Sequence, residues 1–193
     1  MKKLITKKLL REEVASHRKN ENKENIESKS IEITGRVINL VPFIGSQSIM
    51  CYMDFNNEVM TRYIIRHCFE YGKRVVLPLV DKTDGLRRIV PYEIMDEVRD
   101  VIPGTFGILE PKKDRAKTIN PEEIDVVIVP GVAFDLHKNR VGYGAGLYDR
   151  FLESVKTGCT KIGIAFEFQI YDAVPVEEHD ISLDFLITEK RII

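Results

Sequence analysis

The chain has 193 residues, 44% hydrophobic and 31% charged, a size that suits one globular domain able to bury roughly 70% of its unfolded surface. Its 29 Lys and Arg residues nearly balance its 30 Asp and Glu residues, so no overall field draws it to nucleic acid or to a membrane surface. Three widely spaced cysteines, Cys51, Cys68 and Cys159, indicate reduced thiols rather than a disulfide framework or a zinc site. We expect one domain over residues 1–193, located in the cytoplasm.

The predicted elements alternate between helices and short apolar strands. The first 40 residues are predicted to be helical and to bury one stripe at helical spacing: Ile26, Ile33, Val37 and Leu40. Strands are predicted at 48–53, 74–79, 86–90, 125–130, 161–166 and 184–188, and a long connection at 100–121. Helices are predicted at 61–71, with Thr61 as its N-cap, and at about 145–156. Strands without polar alternation, separated by helices, are typical of a mostly parallel sheet covered on both faces. The predicted fold class is therefore α/β.

A glycine-rich segment, NRVGYGAGLYDRF (139–151), follows the apolar stretch DVVIVP (125–130). Ligands gather beyond the carboxyl ends of strands in open α/β sheets, so this position favours a binding role. Gly142, Gly144 and Gly146 are predicted to adopt positive φ and to aim backbone N–H groups at phosphate oxygens, helped by the dipole of the following helix. The spacing matches neither G-x-G-x-x-G nor a P-loop. A tight turn without a ligand remains an open alternative at this point.

Basic residues form a second pattern near the start of the chain. A helix over residues 3–18, at about 100° per residue, places four of them within an arc of about 80°: Lys3, Lys7, Arg11 and Arg18. Such a stripe either meets an anionic ligand or forms a solvated helix face.

Three acidic residues are candidates for binding. Asp149 and Asp180 suit Mg²⁺ bound together with phosphates, although an ion pair between Asp149 and Arg150 and a surface position for Asp180 are equally simple interpretations. Glu58, just beyond the strand predicted at 48–53, is placed either to hydrogen-bond a polar heterocycle or to supply ordinary loop polarity. The histidines lack zinc-site spacing, and no G-x-S-x-G motif is present, so zinc and serine hydrolases have no support.

VIVPGVAFDLHKNRVGYGAGLYDRFL (127–152) resembles the signature of the 5-formyltetrahydrofolate cyclo-ligase family, also called 5,10-methenyltetrahydrofolate synthetases. KKLLR (7–11) is similar to the basic motif of that family and MDFNNEV (53–59) to its folate-contacting segment. IAFEFQ (164–169) and VPVEEHDISLD (174–184) are similar to its C-terminal pattern. Together these segments cover nearly the whole chain in the order of the family.

The resemblance implies a three-layer α/β/α domain with a mostly parallel central sheet and an N-terminal helical segment. It implies that ATP and Mg²⁺ drive the cyclisation of 5-formyltetrahydrofolate to 5,10-methenyltetrahydrofolate, with release of ADP and phosphate. The formyl oxygen takes the γ-phosphoryl group, N10 attacks, and phosphate departs. The expected partners are the folate and ATP, without nucleic acid or membrane, and a monomer is expected rather than an oligomer.

The resemblance also assigns site residues. Arg140 and Lys7 are the expected catalytic residues, and Asp149 and Asp180 the expected Mg²⁺ ligands. The substrate contacts fall on Met53 and Glu58. The expected ATP-binding residues are Lys7, Lys8, Leu9, Leu10, Arg11, Arg140, Val141, Gly142, Tyr143, Gly144, Ala145, Gly146, Leu147 and Tyr148.

Two positions depart from the pattern of the family. Leu147 stands where many members have tyrosine, and Ala145 where they have glycine or lysine. Ala145 fits the loop only if its φ is negative, because a Cβ disfavours positive φ. Two other functions are alternatives: a nucleotide or folate binder without turnover, and a sugar-phosphate isomerase or acyl-CoA transferase on a similar fold.

Overall fold

The computed structural model describes residues 5–104 and 107–193. Its α-helices are α1 (Lys7–Asn20), α2 (Lys23–Ile38), α3 (Val41–Gly45), α4 (Arg62–Glu70) and α5 (Leu147–Leu152). Its strands are β1 (Ser48–Met50), β2 (Arg74–Asp81), β3 (Arg88–Ile94), β4 (Val101–Pro103), β5 (Leu109–Pro111), β6 (Lys117–Thr118), β7 (Val126–Val129), β8 (Ala133–Asp135), β9 (Arg140–Val141), β10 (Thr160–Ile164), β11 (Ile170–Tyr171) and β12 (Phe185–Ile187). No helix within these ranges combines the length and apolar character needed to cross a bilayer.

The central sheet has seven strands in the order β12-β10-β7-β1-β2-β3-β6. The five strands from β12 to β2 run parallel to one another, which confirms the mostly parallel sheet. β3 pairs antiparallel with β2, and β6 antiparallel with β3. The strand predicted at 86–90 therefore exists, but its direction is reversed because a short hairpin joins it to β2.

Alternate residues of the strands point to opposite faces of the sheet, and both faces are buried. Ile49 and Val75 pack with α2 and α4, whereas Met50 and Val76 pack with α5 on the other side. The predicted stripe of α2 lies in the first of these cores, where Ile33 and its companions are buried. This arrangement confirms the three-layer α/β/α fold.

A smaller sheet, in the order β11-β8-β9, extends the domain beyond β7. α1 packs on it through Leu10 and Val14, which contact Val132 and Val141 in a separate buried cluster. The N-terminal helix is thereby fixed beside the segment that follows β7.

Three local expectations differ from the structure. Helix α5 covers 147–152 rather than 145–156, in part because the Ser154 hydroxyl donates to the Phe151 carbonyl (2.6 Å) and competes with helical bonding. The connection at 100–121 contains the β4–β5 hairpin and β6. Thr61 stands at the N-cap of α4, but its hydroxyl donates to the Tyr52 carbonyl (2.7 Å) instead of capping the helix.

Candidate active site

Two loops meet at the carboxyl edge of the central sheet. β1 and β7 are parallel neighbours, so the segment after β1 and the segment after β7 leave the sheet side by side. They enclose a cavity of about 220 Å³, here called the apolar cavity. Its walls are largely apolar and aromatic, with Glu58 as an acidic member: Tyr52, Met53, Phe55, Pro78, Val80, Ile89, Pro130, Tyr143, Leu147 and Tyr148 contribute.

Glu58 is held in the wall of the apolar cavity and is only 2% exposed. Asn56 and Asn57 adopt positive φ (47° and 57°), which Asn tolerates better than most residues, and this turn brings Glu58 back towards the sheet. The Glu58 carboxylate accepts hydrogen bonds from the Phe55 N–H (3.2 Å) and from the Tyr143 hydroxyl. Such burial distinguishes Glu58 from ordinary loop polarity.

The charge of Glu58 is set by opposing effects. Burial raises the pKa of its carboxyl above the usual value, while the positive charge of Arg18 and the hydrogen bonds from Tyr143 and Phe55 limit that rise. The ionisation of the Glu58 carboxyl therefore depends on the charge of Arg18 and on the hydrogen bonds from Tyr143 and Phe55.

The glycine segment lies between the apolar cavity and helix α1. Gly144 and Gly146 adopt positive φ (107° and 60°), as predicted, whereas Gly142 does not. Glycine is favoured at position 142 for another reason: a Cβ there would lie only 3.2 Å from the Arg140 guanidinium. Ala145 avoids positive φ, so its methyl group is accommodated.

A second cavity, of about 110 Å³ and here called the basic cavity, lies where α1 meets the glycine segment. Lys7 and Arg11 line it together with residues from the glycine segment and the C-terminal region: Gly142, Gly144, Gly146, Asp149, Glu177, His179 and Asp180. Arg11 also donates to the Gly142 carbonyl (2.8 Å). These contacts show that Lys7 and Arg11 are not part of a purely solvated face; Lys3 lies outside the described residues.

Asp149 and Asp180 both line the basic cavity, and each is already paired with a cation. The Asp180 carboxylate accepts from Lys7 Nζ (2.7 Å) and from the Glu177 N–H (2.8 Å), both at Oδ2. Burial raises the pKa of Asp180, but these two bonds outweigh burial and hold it below its usual value. The Asp149 carboxylate accepts from Arg140 (2.7 Å) and from the Ile181 N–H (3.2 Å), both at Oδ1.

The remaining oxygens of the two carboxylates suit a hard divalent cation. Asp149 Oδ2 and Asp180 Oδ1 accept no hydrogen bond from the part of the chain that the structure describes. That part also contains no cluster of three or more His, Cys, Asp or Glu side chains arranged for a metal. A cation here would therefore take further oxygen ligands from phosphate and water, as Mg²⁺ commonly does.

A central cavity of about 130 Å³ adjoins the other two. It shares Tyr143, Leu147 and Tyr148 with the apolar cavity, and Gly142, Gly146 and Asp149 with the basic cavity. Arg140 lines it, and the buried Arg140 Nε and Tyr148 Oη lack hydrogen-bond partners within residues 5–104 and 107–193. Unpaired buried polar atoms are costly, so they mark a place where a polar ligand or water completes the structure.

Comparisons with known proteins assign the chain to one family. The model of the 5-formyltetrahydrofolate cyclo-ligase family matches residues 4–189. The chain belongs to this family. It is 30% identical to 5-formyltetrahydrofolate cyclo-ligase of Saccharomyces cerevisiae, over 95% of each chain, and 30% identical to that of Escherichia coli K12, over 81% of this chain and 86% of the relative. It is also similar to the solved structure of 5,10-methenyltetrahydrofolate synthetase from Aquifex aeolicus, with a TM-score of 0.84, 32% identity and coverage of 97% of this chain and 92% of the other.

Membership of the cyclo-ligase family makes the chain an enzyme of the ligase class. This excludes the two alternatives considered from the sequence, the binder without turnover and the isomerase or acyl-CoA transferase. The resemblance to the cyclo-ligase family is confirmed.

Within this cyclo-ligase, some of the predicted ATP-binding residues do not line the basic cavity. Lys8 has a side chain that is 85% exposed and lies 3.9 Å from Glu12. Leu10 and Val141 are buried together beneath α1, and Leu9 is half-buried. Their contribution through the backbone or through packing stays a prediction, as do the other assigned roles.

Sequence reasoning missed three parts of this cyclo-ligase site. The resemblance assigns Tyr143 to ATP but does not indicate that its hydroxyl donates to Glu58 in the apolar cavity. The sequence places Arg18 on the same helix face as Arg11, but not its contact with the Tyr143 hydroxyl (2.7 Å). Glu177, which lies 3.0 Å from Lys7, had no signal beyond its position three residues before Asp180.

Proposed function

We propose that this enzyme catalyses the ATP- and Mg²⁺-dependent cyclisation of 5-formyltetrahydrofolate to 5,10-methenyltetrahydrofolate, with release of ADP and phosphate. The observation that carries the proposal is that three cavities adjoin through shared wall residues: the apolar cavity with Glu58, the central cavity with Arg140, and the basic cavity with Lys7 and the two aspartates. This arrangement sets an aromatic-lined pocket near a pocket suited to phosphates.

The folate occupies the apolar cavity, with Met53 against the ring and Glu58 accepting from the N–H groups of the pterin. An open groove of about 520 Å³ continues from it, sharing Val80 and Leu147. Lys82, Arg87 and Lys113 edge this groove together with Asp81 and Glu110, and the three cations suit the carboxylates of the glutamate end of a folate.

The phosphates of ATP occupy the basic cavity. Lys7 and Arg11 neutralise their charge, and the backbone of the glycine segment approaches them at Gly144 and Gly146, where positive φ is needed. Asp149 and Asp180 would hold Mg²⁺, and the ion would offset the charge on the phosphate oxygens. Arg140, oriented by Asp149, faces the reacting groups from the central cavity.

The chemistry explains why phosphate and folate must meet. Direct closure by N10 would have to expel oxide or hydroxide from the formyl carbon. The formyl oxygen therefore attacks the γ-phosphorus, and the bond from that phosphorus to ADP breaks. N10 then attacks the formyl carbon and loses its proton, and the C–O bond breaks so that the oxygen leaves within phosphate. Phosphoryl transfer depends chiefly on positioning and charge stabilisation, which the cations of the two cavities supply.

Absorbance of the methenyl product provides the test. Purified protein with 5-formyltetrahydrofolate and MgATP is expected to form it with one ADP for each product, and omission of ATP or addition of EDTA should abolish the signal. Product formation without ATP, or none with MgATP, would overturn the proposal. The cytoplasmic location, the single domain over 1–193 and the monomeric state stay predictions from the sequence.

A further inference from the structure

Arg18 connects the two halves of the site from the far end of α1. It is 6% exposed, and it lies on the helix whose first turns supply Lys7 and Arg11. Its guanidinium donates to the Tyr143 hydroxyl (2.7 Å) and to the Gly131 carbonyl (3.1 Å). Its own carbonyl accepts from Asn57 Nδ2 (2.7 Å), so Arg18 contacts both loops that enclose the apolar cavity.

The hydrogen bonds around Arg18 have a fixed direction. A guanidinium only donates, so the Tyr143 oxygen must accept from Arg18. The hydrogen of that hydroxyl is then directed to Glu58, and Arg18 Nη1 itself lies 3.5 Å from Glu58 Oε1. The chain from Arg18 through Tyr143 therefore presents Glu58 to the cavity as an acceptor.

The charges that face Glu58 come from several elements. Arg18 lies on α1, Tyr143 on the glycine segment, Asp54 on the turn before Glu58, and Tyr52 and Tyr148 in the cavity wall. Burial raises the pKa of Glu58 most, Asp54 adds to that rise, and Arg18 is the largest opposing influence. Loss of Arg18 would thus favour the protonated carboxyl.

We propose that Arg18 is a positioning residue, which acts through Tyr143 and Glu58 to keep a charged acceptor aimed at the pterin. This inference rests on the proposed function, because it requires that a folate occupies the apolar cavity. Arg18 itself does not touch the reacting atoms. It orders the Tyr143 hydroxyl and the Glu58 carboxylate, which line the cavity proposed for the folate.

The test measures the affinity for 5-formyltetrahydrofolate without ATP, by fluorescence titration from pH 5 to 9, alongside KM and kcat. Affinity depends on ionised Glu58, so it is lost as the pH falls through the pKa of that group. Arg18→Met is expected to weaken binding at least tenfold at pH 7, to move this loss to higher pH, and to raise KM for folate more than it lowers kcat. Tyr143→Phe should shift the profile less in the same direction, and Arg18→Lys should recover part of the affinity.

Lys19→Met is the matched control, because Lys19 is the exposed neighbour on the same helix. Its pH profile should equal that of the wild type. If Arg18→Met binds folate with the affinity and pH profile of the wild type, the proposal is overturned. It is also overturned if the affinity of Arg18→Met falls equally at every pH and the variant has lost thermal stability. If Arg18→Met does not fold, an unshifted profile in both Tyr143→Phe and Arg18→Lys overturns it. A third outcome separates the two proposals. If the wild type binds folate but shows no ATP-dependent turnover, and Arg18→Met still shifts the pH profile of binding, only the proposed ATP-driven reaction is contradicted.

Discussion

At the scale of single residues, Arg140 and Asp149 form the ion pair on which the centre of the site depends. Their side chains are 3% and 12% exposed and lie 2.7 Å apart. Removal of one partner from a buried pair leaves an uncompensated charge, which typically costs about 3–5 kcal/mol of stability. An alanine variant of either residue therefore changes stability and catalysis together, and the two effects have to be separated.

We expect Arg140→Ala and Asp149→Ala to lower kcat at least about a hundredfold, since one preorganised charge contact at a phosphoryl-transfer centre is worth about 3 kcal/mol. The double variant Arg140→Met/Asp149→Leu replaces the pair by apolar side chains and should regain most of the lost stability without regaining activity. Urea unfolding and kcat at saturating ATP measure the two effects. Near-normal kcat in a folded single variant would remove that residue from the site.

At the scale of elements, α1 joins a structural role to a functional one. Leu10 and Val14 bury its apolar face against the small sheet, and this contact sets the position of Lys7 and Arg11 at the basic cavity. The packing of one helix face thus determines where two cations line the basic cavity.

Leu10→Ala is expected to destabilise the protein by about 2–5 kcal/mol and to raise KM for ATP, because the helix loses its buried anchor. Ile31→Ala, at a position that is 52% exposed on α2, should change stability by less than about 0.5 kcal/mol and leave KM unaltered. Thermal unfolding and steady-state kinetics are the measurements. A destabilised Leu10→Ala enzyme with unchanged KM would show that α1 keeps its place without Leu10.

The sequence predicted those helices and strands that are marked by the spacing of apolar residues within a short segment. The spacing of Ile26, Ile33 and Val37 identified α2, and the apolar run ending at Val129 identified β7. The reversed β3 and the β4–β5 hairpin were not predicted, because pairing partners and direction depend on contacts distant in sequence.

The same distinction applies to the site. The glycine segment and both aspartates were recognised from motifs, and the structure brings them to one cavity. The bond between Tyr143 and Glu58 joins residues 85 positions apart, and no spacing rule encodes such a pair. Arg18 had the right helix face but no sequence signal for its partners.

At the scale of the whole molecule, the three cavities lie between segments that come from different parts of the chain. A ligand that binds there stabilises the folded state only, by mass action. ATP is expected to stabilise the folded state more with Mg²⁺ than without it. Without the ion, the two aspartates of the basic cavity would repel the negatively charged phosphates.

MgATP at about 100 times its Kd should stabilise the enzyme by about 2.7 kcal/mol, which raises Tm by about 5–10 °C for a chain of this size. Asp180→Asn should lose most of the Mg²⁺-dependent part of this shift. Asp172→Asn, which changes an exposed aspartate, should keep it. Differential scanning fluorimetry with and without EDTA is the measurement, and an equal shift in both conditions would argue against the metal site.

The contact between Lys7 and Asp180 also has a consequence for biosynthesis. The two residues are separated by 173 positions in the chain. At about 5–20 residues per second, a ribosome needs about 9–35 s to reach the aspartate after it has made the lysine. A nascent chain that already contains the glycine segment therefore still lacks one wall of the basic cavity, and a ligand of that cavity cannot assist folding until Asp180 has been made.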